Sequence, residues 1–511
     1  MLSTIDWLVI GAYAAALLII CLRVMRRSPD TDELFLAGRS LGPAVIGLSL
    51  FASNISSTTL IGLPGAAWEY GIAVANYEWM AALVLVLTAL FLLPRLIGQR
   101  LSTIPELLEQ RFDPRLRRYL SACSLFLSVA LDTAGSLYAG AIVVMLFVPG
   151  FTLAPTIFAL ALLAGLYTTA GGLRAVAYTD VLQSLVLLGG SVLLTWLVLA
   201  ELNFDFPRII RDLGPERLSL LRPIDDPSLP WLGTLIGLPV LGFYYWTMNQ
   251  YVAQRLLGAR DITAAARGSI LAAALKLLPL FIMVFPGAMA VLLIPDLDSP
   301  DQVFPELIRR FAPPGVAGLL IAGLLAAIMS SVDSTLNSAS TLIMVDFVKP
   351  ARPQISSRSI ARLGRFCTLG LMLLAALWAP MIDRFSGLFA YLQQTFAYVT
   401  PPLVAVFLIG VSNQSISANA AWRGLITGHA LSALVFIAAQ LGWHSVHFTI
   451  VAGLLCAATA VFIVFWQLVG DGQKKTSQES AKPAYAPLSP GLKRCAYGLI
   501  GVTLLIVAWL A

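Results

Sequence analysis

Ser330, Ser331, Asp333, Ser334 and Asn337 lie close together inside one long apolar segment, near residues 314–346. Hydrocarbon supplies no hydrogen-bond partners, so polar residues this dense line a cavity or bind something polar. At helical spacing Ser330 and Ser331 each share a face with Ser334. Hydroxyl and carbonyl oxygens with few formal charges suit a small hard cation that is held and then released. A second polar run, Ser49 through Thr59, falls in another apolar segment and is followed by Gly62, Pro64 and Gly65. Glu78 and Lys276 are the most conspicuous intramembrane charges, and they sit on different segments where they can pair with each other. Asp180 stands at the start of another segment, where Thr179-Asp180 would also serve as a helix cap.

Other chemistries are poorly served. Cys21, Cys123, Cys367, Cys456 and Cys495 are scattered in or beside apolar segments without metal spacing. His429, His444 and His447 are too few and too poorly grouped for a metal centre. No nucleophile and base set is visible, so an enzyme is disfavoured.

The elements that must position these residues are membrane helices. With 58% hydrophobic and 12% charged residues over 511, the chain reads as an all-α polytopic membrane protein. The first apolar run lacks a basic region before it and is long enough to be a retained helix. About 14 spans are expected, near 5–25, 43–69, 74–97, 118–148, 153–173, 177–201, 229–254, 261–294, 314–346, 357–383, 385–411, 415–440, 446–468 and 493–510. Roughly 25 Lys/Arg then fall on one side and roughly 7 on the other. The rich side carries Arg26, Arg27, Arg115, Arg117, Arg255, Lys474, Lys475 and Lys482, and is expected to be cytoplasmic, with both termini extracytoplasmic. The net charge of +6 therefore reflects membrane topology, and no nucleic-acid partner is expected.

Two segments are interrupted: 43–69 by its polar run, and 229–254 by Pro239 and Gly242. Each opens a group of five helices. Paired broken helices in corresponding positions point to an inverted-repeat transporter with its site at the midplane, although ordinary kinked spans would look similar. The expected divisions are 1–42 (an extra helix and loop), 43–201 (first repeat), 202–228 (an external loop), 229–411 (second repeat) and 412–511 (further helices).

The chain resembles the sodium:solute symporter family, and within it the sodium/glucose cotransporters. The resemblance rests on Gly38-Arg-Ser-Leu41, Ser49-Leu-Phe-Ala-Ser-Asn-Ile55, Tyr77-Glu-Trp79, Tyr178-Thr-Asp-Val-Leu-Gln183, Tyr244-Tyr-Trp246, Asn249-Gln250, Gln254-Arg255, Lys276-Leu277 and Ser330-Ser331 through Ser340. It implies a LeuT-like core of two inverted five-helix repeats and Na+ as coupling ion. The implied sodium ligands are the carbonyls of Ala52, Ile55 and Ala327 and the hydroxyls of Ser330 and Ser331; the bland alternative for these serines is close helix packing. Asp180 with Ser334 is implied as a second sodium site. Asp333, at a position often neutral in this branch, would strengthen that site or take a proton.

For substrate the resemblance points to Asn54, Glu78, Tyr245, Trp246, Lys276 and Gln393, with Leu63, Tyr77 and Phe389 as an outer gate and Tyr245 covering the cytoplasmic side. Thr59 stands where a Gln or His is common, Ala81 replaces a Ser, and Gly242 an Asn. The expected activity is sodium-coupled uptake of a hexose-like sugar across the plasma (inner) membrane by alternating access. Rivals are a symporter for an inositol, sialic acid, amino acid or carboxylate, and a substrate-gated receptor or channel on the same scaffold. An anionic solute would place Glu78 unfavourably.

Overall fold

The computed structural model describes residues 2–24, 35–148, 150–385, 387–470 and 488–511. Arg26, Arg27, Lys474, Lys475 and Lys482 lie outside the described residues, as does the side chain of Cys21. Among the described residues the regular elements are helices, without a β-strand.

Helix α1 covers Thr4–Val24. The polar run that follows Leu48 splits the next span into α2 (Pro43–Asn54) and α3 (Ser57–Tyr70), bent by 55°. The break has a local cause. Ile55 leaves the helical region at φ −75, ψ 61, and Ser56 caps α3 by accepting the Thr59 N–H at 3.3 Å. Then come α4 (Ile72–Leu92), α5 (Pro114–Phe147) and α6 (Leu153–Glu201). The second half opens on α7 (Trp231–Ile236), α8 (Leu238–Phe243), a π-helical turn (Tyr244–Met248) and α9 (Gln250–Leu257). It continues as α10 (Ile262–Ala290), α11 (Val316–Leu342), α12 (Ser357–Trp378) and α13 (Leu388–Ser412). Three more helices follow: α14 (Ala418–Gln440), α15 (Phe448–Val469) and α16 (Pro490–Trp509).

The two halves pack reciprocally. α2, from the first broken span, lies on α10, while α8, from the second, lies on α4. Each broken helix thus rests on the second span of the other half, as an inverted repeat requires. Close approach is secured by small residues: a Cβ on Gly287 of α10 would stand 2.4 Å from the Pro64 carbonyl oxygen of α3.

Several expectations need correction. Among the described residues ten helices are long and apolar enough to span, or eleven with the bent α2–α3 pair. The count of about 14 is not confirmed; the 231–257 stretch is divided into helical pieces each too short to be counted as a span. The turn expected between 153–173 and 177–201 is absent, since α6 is one helix of 49 residues and has no proline after Pro155 to stop it. The second span breaks twice: mildly at Gly237, two residues before Pro239, and more sharply at Asn249, which is extended (φ −63, ψ 124). The segment 202–228 contains a helix, Phe206–Leu218.

Candidate functional site

The α2–α3 break frees backbone oxygens. Among the described residues no backbone amide donates to the carbonyl of Ala52 or Ile55, both buried at the end of α2. α11 packs against α2 and α3, and on it Ser331 Oγ donates to the Ala327 carbonyl at 2.7 Å. Ser330 Oγ donates instead to Asp180 on α6. The helix that carries Ser330 and Ser331 thus packs against the broken helix whose carbonyls are freed, and each of the two hydroxyls, while donating, keeps acceptor lone pairs.

Asp180 is fully buried and accepts from Ser49 Oγ at 2.5 Å, Ser53 Oγ at 3.3 Å and Ser330 Oγ. It also pairs with Arg255, whose Nη2 is 3.0 Å away and which is itself 1% exposed. The same guanidinium donates to Ser49 Oγ and Ser334 Oγ, at 2.6 Å each. Asp180, Ser330 and Ser334 are therefore brought together as expected, but around a protein cation. Arg255 is a correction to the basic loop count, because it points into the protein and its charge is spent on Asp180. Asp333 is buried on the same helix. The cap expected of Thr179-Asp180 is not formed, because both residues lie inside α6.

A second cluster surrounds a cavity of about 90 Å³. Lys276 Nζ pairs with Glu78 Oε2, both residues buried, and lies 5.0 Å from the Trp246 ring centroid in cation–π geometry. Asn54, Thr59, Tyr245 and Gln393 line the same space. Thr59 Oγ1 donates to the Asn54 carbonyl at 2.6 Å, so part of its capacity goes to the helix break. Asn54 Oδ1 and Tyr77 OH are buried without a hydrogen-bond partner. Unpartnered polar atoms around a small void mark a place for a polar ligand.

Aromatic contacts bound the cavity on two sides. Tyr77 and Phe389 meet edge to face with centroids 5.1 Å apart, and both also line a second cavity of about 290 Å³ beside Pro227 and Ser228. At the other end Tyr245 contacts Phe396 edge to face at 5.9 Å and is bonded through its hydroxyl to Tyr251. Leu63, expected in the outer gate, is buried in α3 and lines neither cavity; Gly62 beside it faces Phe389.

The larger cavity carries Glu69, Asp301 and His447. Asp301 accepts the Leu388 N–H at 3.0 and 3.3 Å and so caps the first turn of α13. Burial pushes its carboxyl up to about 6; the Leu388 bond opposes this, and the charges of Asp383 and Glu69 add to it. Burial pushes His447 down to about 4.

The sequence reading missed two residues. Arg255 was signalled by its place between two apolar segments but was counted with a loop. Asp132, a carboxylate within the 118–148 segment, lines the small cavity and carried the same signal as Glu78.

Comparison with known proteins supplies the lineage. The model of the sodium:solute symporter family matches residues 34–428. A sodium/glucose cotransporter of Vibrio parahaemolyticus is 32% identical over 456 residues, covering 83% of this chain and 84% of that protein. Sodium/myo-inositol cotransporter 2 of Oryctolagus cuniculus is 31% identical, covering 90% and 77%. A Na+-coupled sialic acid symporter, solved with substrate in an outward-open state, superposes with a TM-score of 0.80 at 22% identity, covering 91% of this chain and 98% of that one.

Proposed function

The chain belongs to the sodium:solute symporter family, and we propose that the solute it carries with sodium is a hexose-like sugar, taken up across the plasma membrane by alternating access. Sodium is the coupling ion of this family. The observation that carries the sugar reading is the Glu78–Lys276 pair under Trp246, beside the unpartnered Asn54 Oδ1 that lines the small cavity. Such a site offers directed donors and acceptors with an aromatic face, as recognition of a polyhydroxylated ring requires. Glu78, Lys276, Asn54, Thr59, Gln393, Tyr245 and Trp246 contact the sugar, with Tyr77, Phe389 and Leu63 on its outer side. Names of relatives include glucose, mannose and myo-inositol, all polyhydroxylated solutes.

On this reading the carbonyls of Ala52, Ile55 and Ala327 and the hydroxyls of Ser330 and Ser331 hold one sodium. On this reading the Lys/Arg-rich loops are cytoplasmic and both termini lie outside. One charge through 100 mV gives roughly 2.3 kcal/mol and a tenfold gradient about 1.4 kcal/mol, enough for on the order of 500-fold accumulation. A second sodium at Asp180, Ser334 and Asp333 has to displace the Arg255 guanidinium from Asp180. Proteoliposomes with an inward sodium gradient test the reading. Labelled glucose and myo-inositol should accumulate only with the gradient, and reversal potentials should give the ions moved per solute. Uptake indifferent to sodium would refute symport, and a ratio of one, independent of pH, would remove the second ion.

A further inference from the structure

The small cavity holds two carboxylates, Glu78 and Asp132, against one ammonium. Lys276 satisfies Glu78. Asp132 forms no ion pair among the described residues, and its carboxylate receives one long hydrogen bond, from Asn249 Nδ2 at 3.4 Å. Its placement is built into the fold. Ser128–Thr133 is a π-helical turn in the middle of α5, and such a turn re-aims side chains. Thr133 Oγ1 anchors it to the Ser128 carbonyl and to Thr335 of α11, at 2.8 Å each. Asn249 reaches Asp132 from the extended break before α9. On the same cavity Asn54, 6% exposed, presents an acceptor oxygen with no partner.

Lining the void, the Asp132 carboxylate when ionised is a negative charge with no ion pair among the described residues. Closing both gates would seal that charge away from water, which is costly unless the cargo brings the opposite charge. A hydroxyl can donate one hydrogen bond to Asp132 but leaves the charge unbalanced; an ammonium supplies donors and the charge together. We propose that Asp132 contacts the substrate, and that the solute this cavity prefers is a polyhydroxylated ring bearing a protonated amine. The inference rests on the reading of this cavity as the sugar site. The amine can be exocyclic, as on an amino sugar, or part of the ring, as in an imino sugar.

Calorimetry on the purified full-length protein in sodium buffer at pH 7 tests it with glucose, N-acetylglucosamine, glucosamine and 1-deoxynojirimycin. One or both amines should bind about 10- to 100-fold more tightly than glucose, as a charge-assisted bond replaces a neutral one. Which of the two gains identifies the amine position, and neutral N-acetylglucosamine should show no such gain. Asp132→Asn should bring the amine-to-glucose ratio close to one, while Asp132→Glu should retain a preference, which separates lost charge from a damaged fold. A wild-type ratio near one, or an unchanged ratio in Asp132→Asn, overturns the inference. So does glucose binding with proton uptake that Asp132→Asn abolishes, because a proton then neutralises the carboxylate. Binding of none of the four, with or without sodium, counts instead against the sugar reading itself.

Discussion

Replacing Glu78 with Gln keeps the shape of the side chain and removes its charge, so it isolates the ion pair. Lys276 is 0% exposed, and its remaining neighbour is the face of Trp246, 5.0 Å from Nζ. Leaving one member of a buried pair alone costs about 3–5 kcal/mol. The cation–π contact offsets about 0.5–2 kcal/mol of that. If the remaining ~1–4.5 kcal/mol falls on the closed, sugar-bound state, apparent affinity drops roughly 5- to 2000-fold. Initial rates of sodium-driven sugar uptake in proteoliposomes, at matched protein incorporation, measure the effect. Lys276→Gln should be similarly impaired, since it strands the carboxylate. The double change Glu78→Gln with Lys276→Gln leaves two neutral groups that can bond each other, so its loss should be much smaller than the product of the single losses. A double variant whose loss equals that product would refute the pairing, and a wild-type KM in either single variant would show that the pair does not support substrate.

Ser330→Ala and Ser331→Ala should each raise the sodium concentration for half-maximal uptake roughly 5- to 30-fold, the worth of about 1–2 kcal/mol per lost oxygen ligand; an unchanged sodium dependence in the double variant would sink the site. Tyr77→Ala removes the edge-to-face contact with Phe389 and should speed release of bound sugar to the side of the larger cavity by at least about 2- to 10-fold, the share due to that contact, read as faster exchange of labelled sugar. For Asp301, the folded-state value of about 6 lies above the ordinary 3.8, so its ionised form is the disfavoured one in the fold. Stability should rise as pH falls from about 6 toward 4, and the melting temperature of Asp301→Asn should lack that component; His447, already held down to about 4, works in the opposite sense below its ordinary 6.5. Parallel melting curves for wild type and Asp301→Asn between pH 7 and 4.5 would contradict the assignment.

What the sequence made legible was set by cost. A polar residue in hydrocarbon is expensive wherever it points, so Ser330, Asp180, Glu78 and Lys276 stood out without any knowledge of packing. The α2–α3 break was readable for a similar reason, because Ser56 offers the backbone a cap that competes with continuing the helix. Partners were less legible. Nothing in the spacing of Arg255 says that it turns inward to Asp180, 75 residues away in sequence. The break at Asn249 was misplaced because Pro239 and Gly242 are louder signals, yet Pro239 sits in the first turn of α8, where its missing N–H costs nothing. The length of α6 was missed because hydropathy measures how much helix a bilayer can cover and is silent on where a helix ends.

The Arg255 guanidinium gives the two clusters a physical connection. It sits on α9, which begins at the extended Asn249 just after the π-helical turn bearing Tyr245 and Trp246. From there it reaches Asp180, which also accepts from Ser330, and Ser334, while the Tyr251 carbonyl of the same helix accepts from it. Tyr251 in turn donates to the hydroxyl of Tyr245, which lines the small cavity. A cation arriving at Asp180 competes with a guanidinium whose release frees the helix that bears Tyr251. Breaking a pair this deeply buried has a large uncompensated cost, so the guanidinium has little reason to leave until another positive charge replaces it. On the proposed reading a sodium ion would supply that charge, and the exchange would tie ion binding to the aromatic contacts of Tyr245 through side chains already in contact.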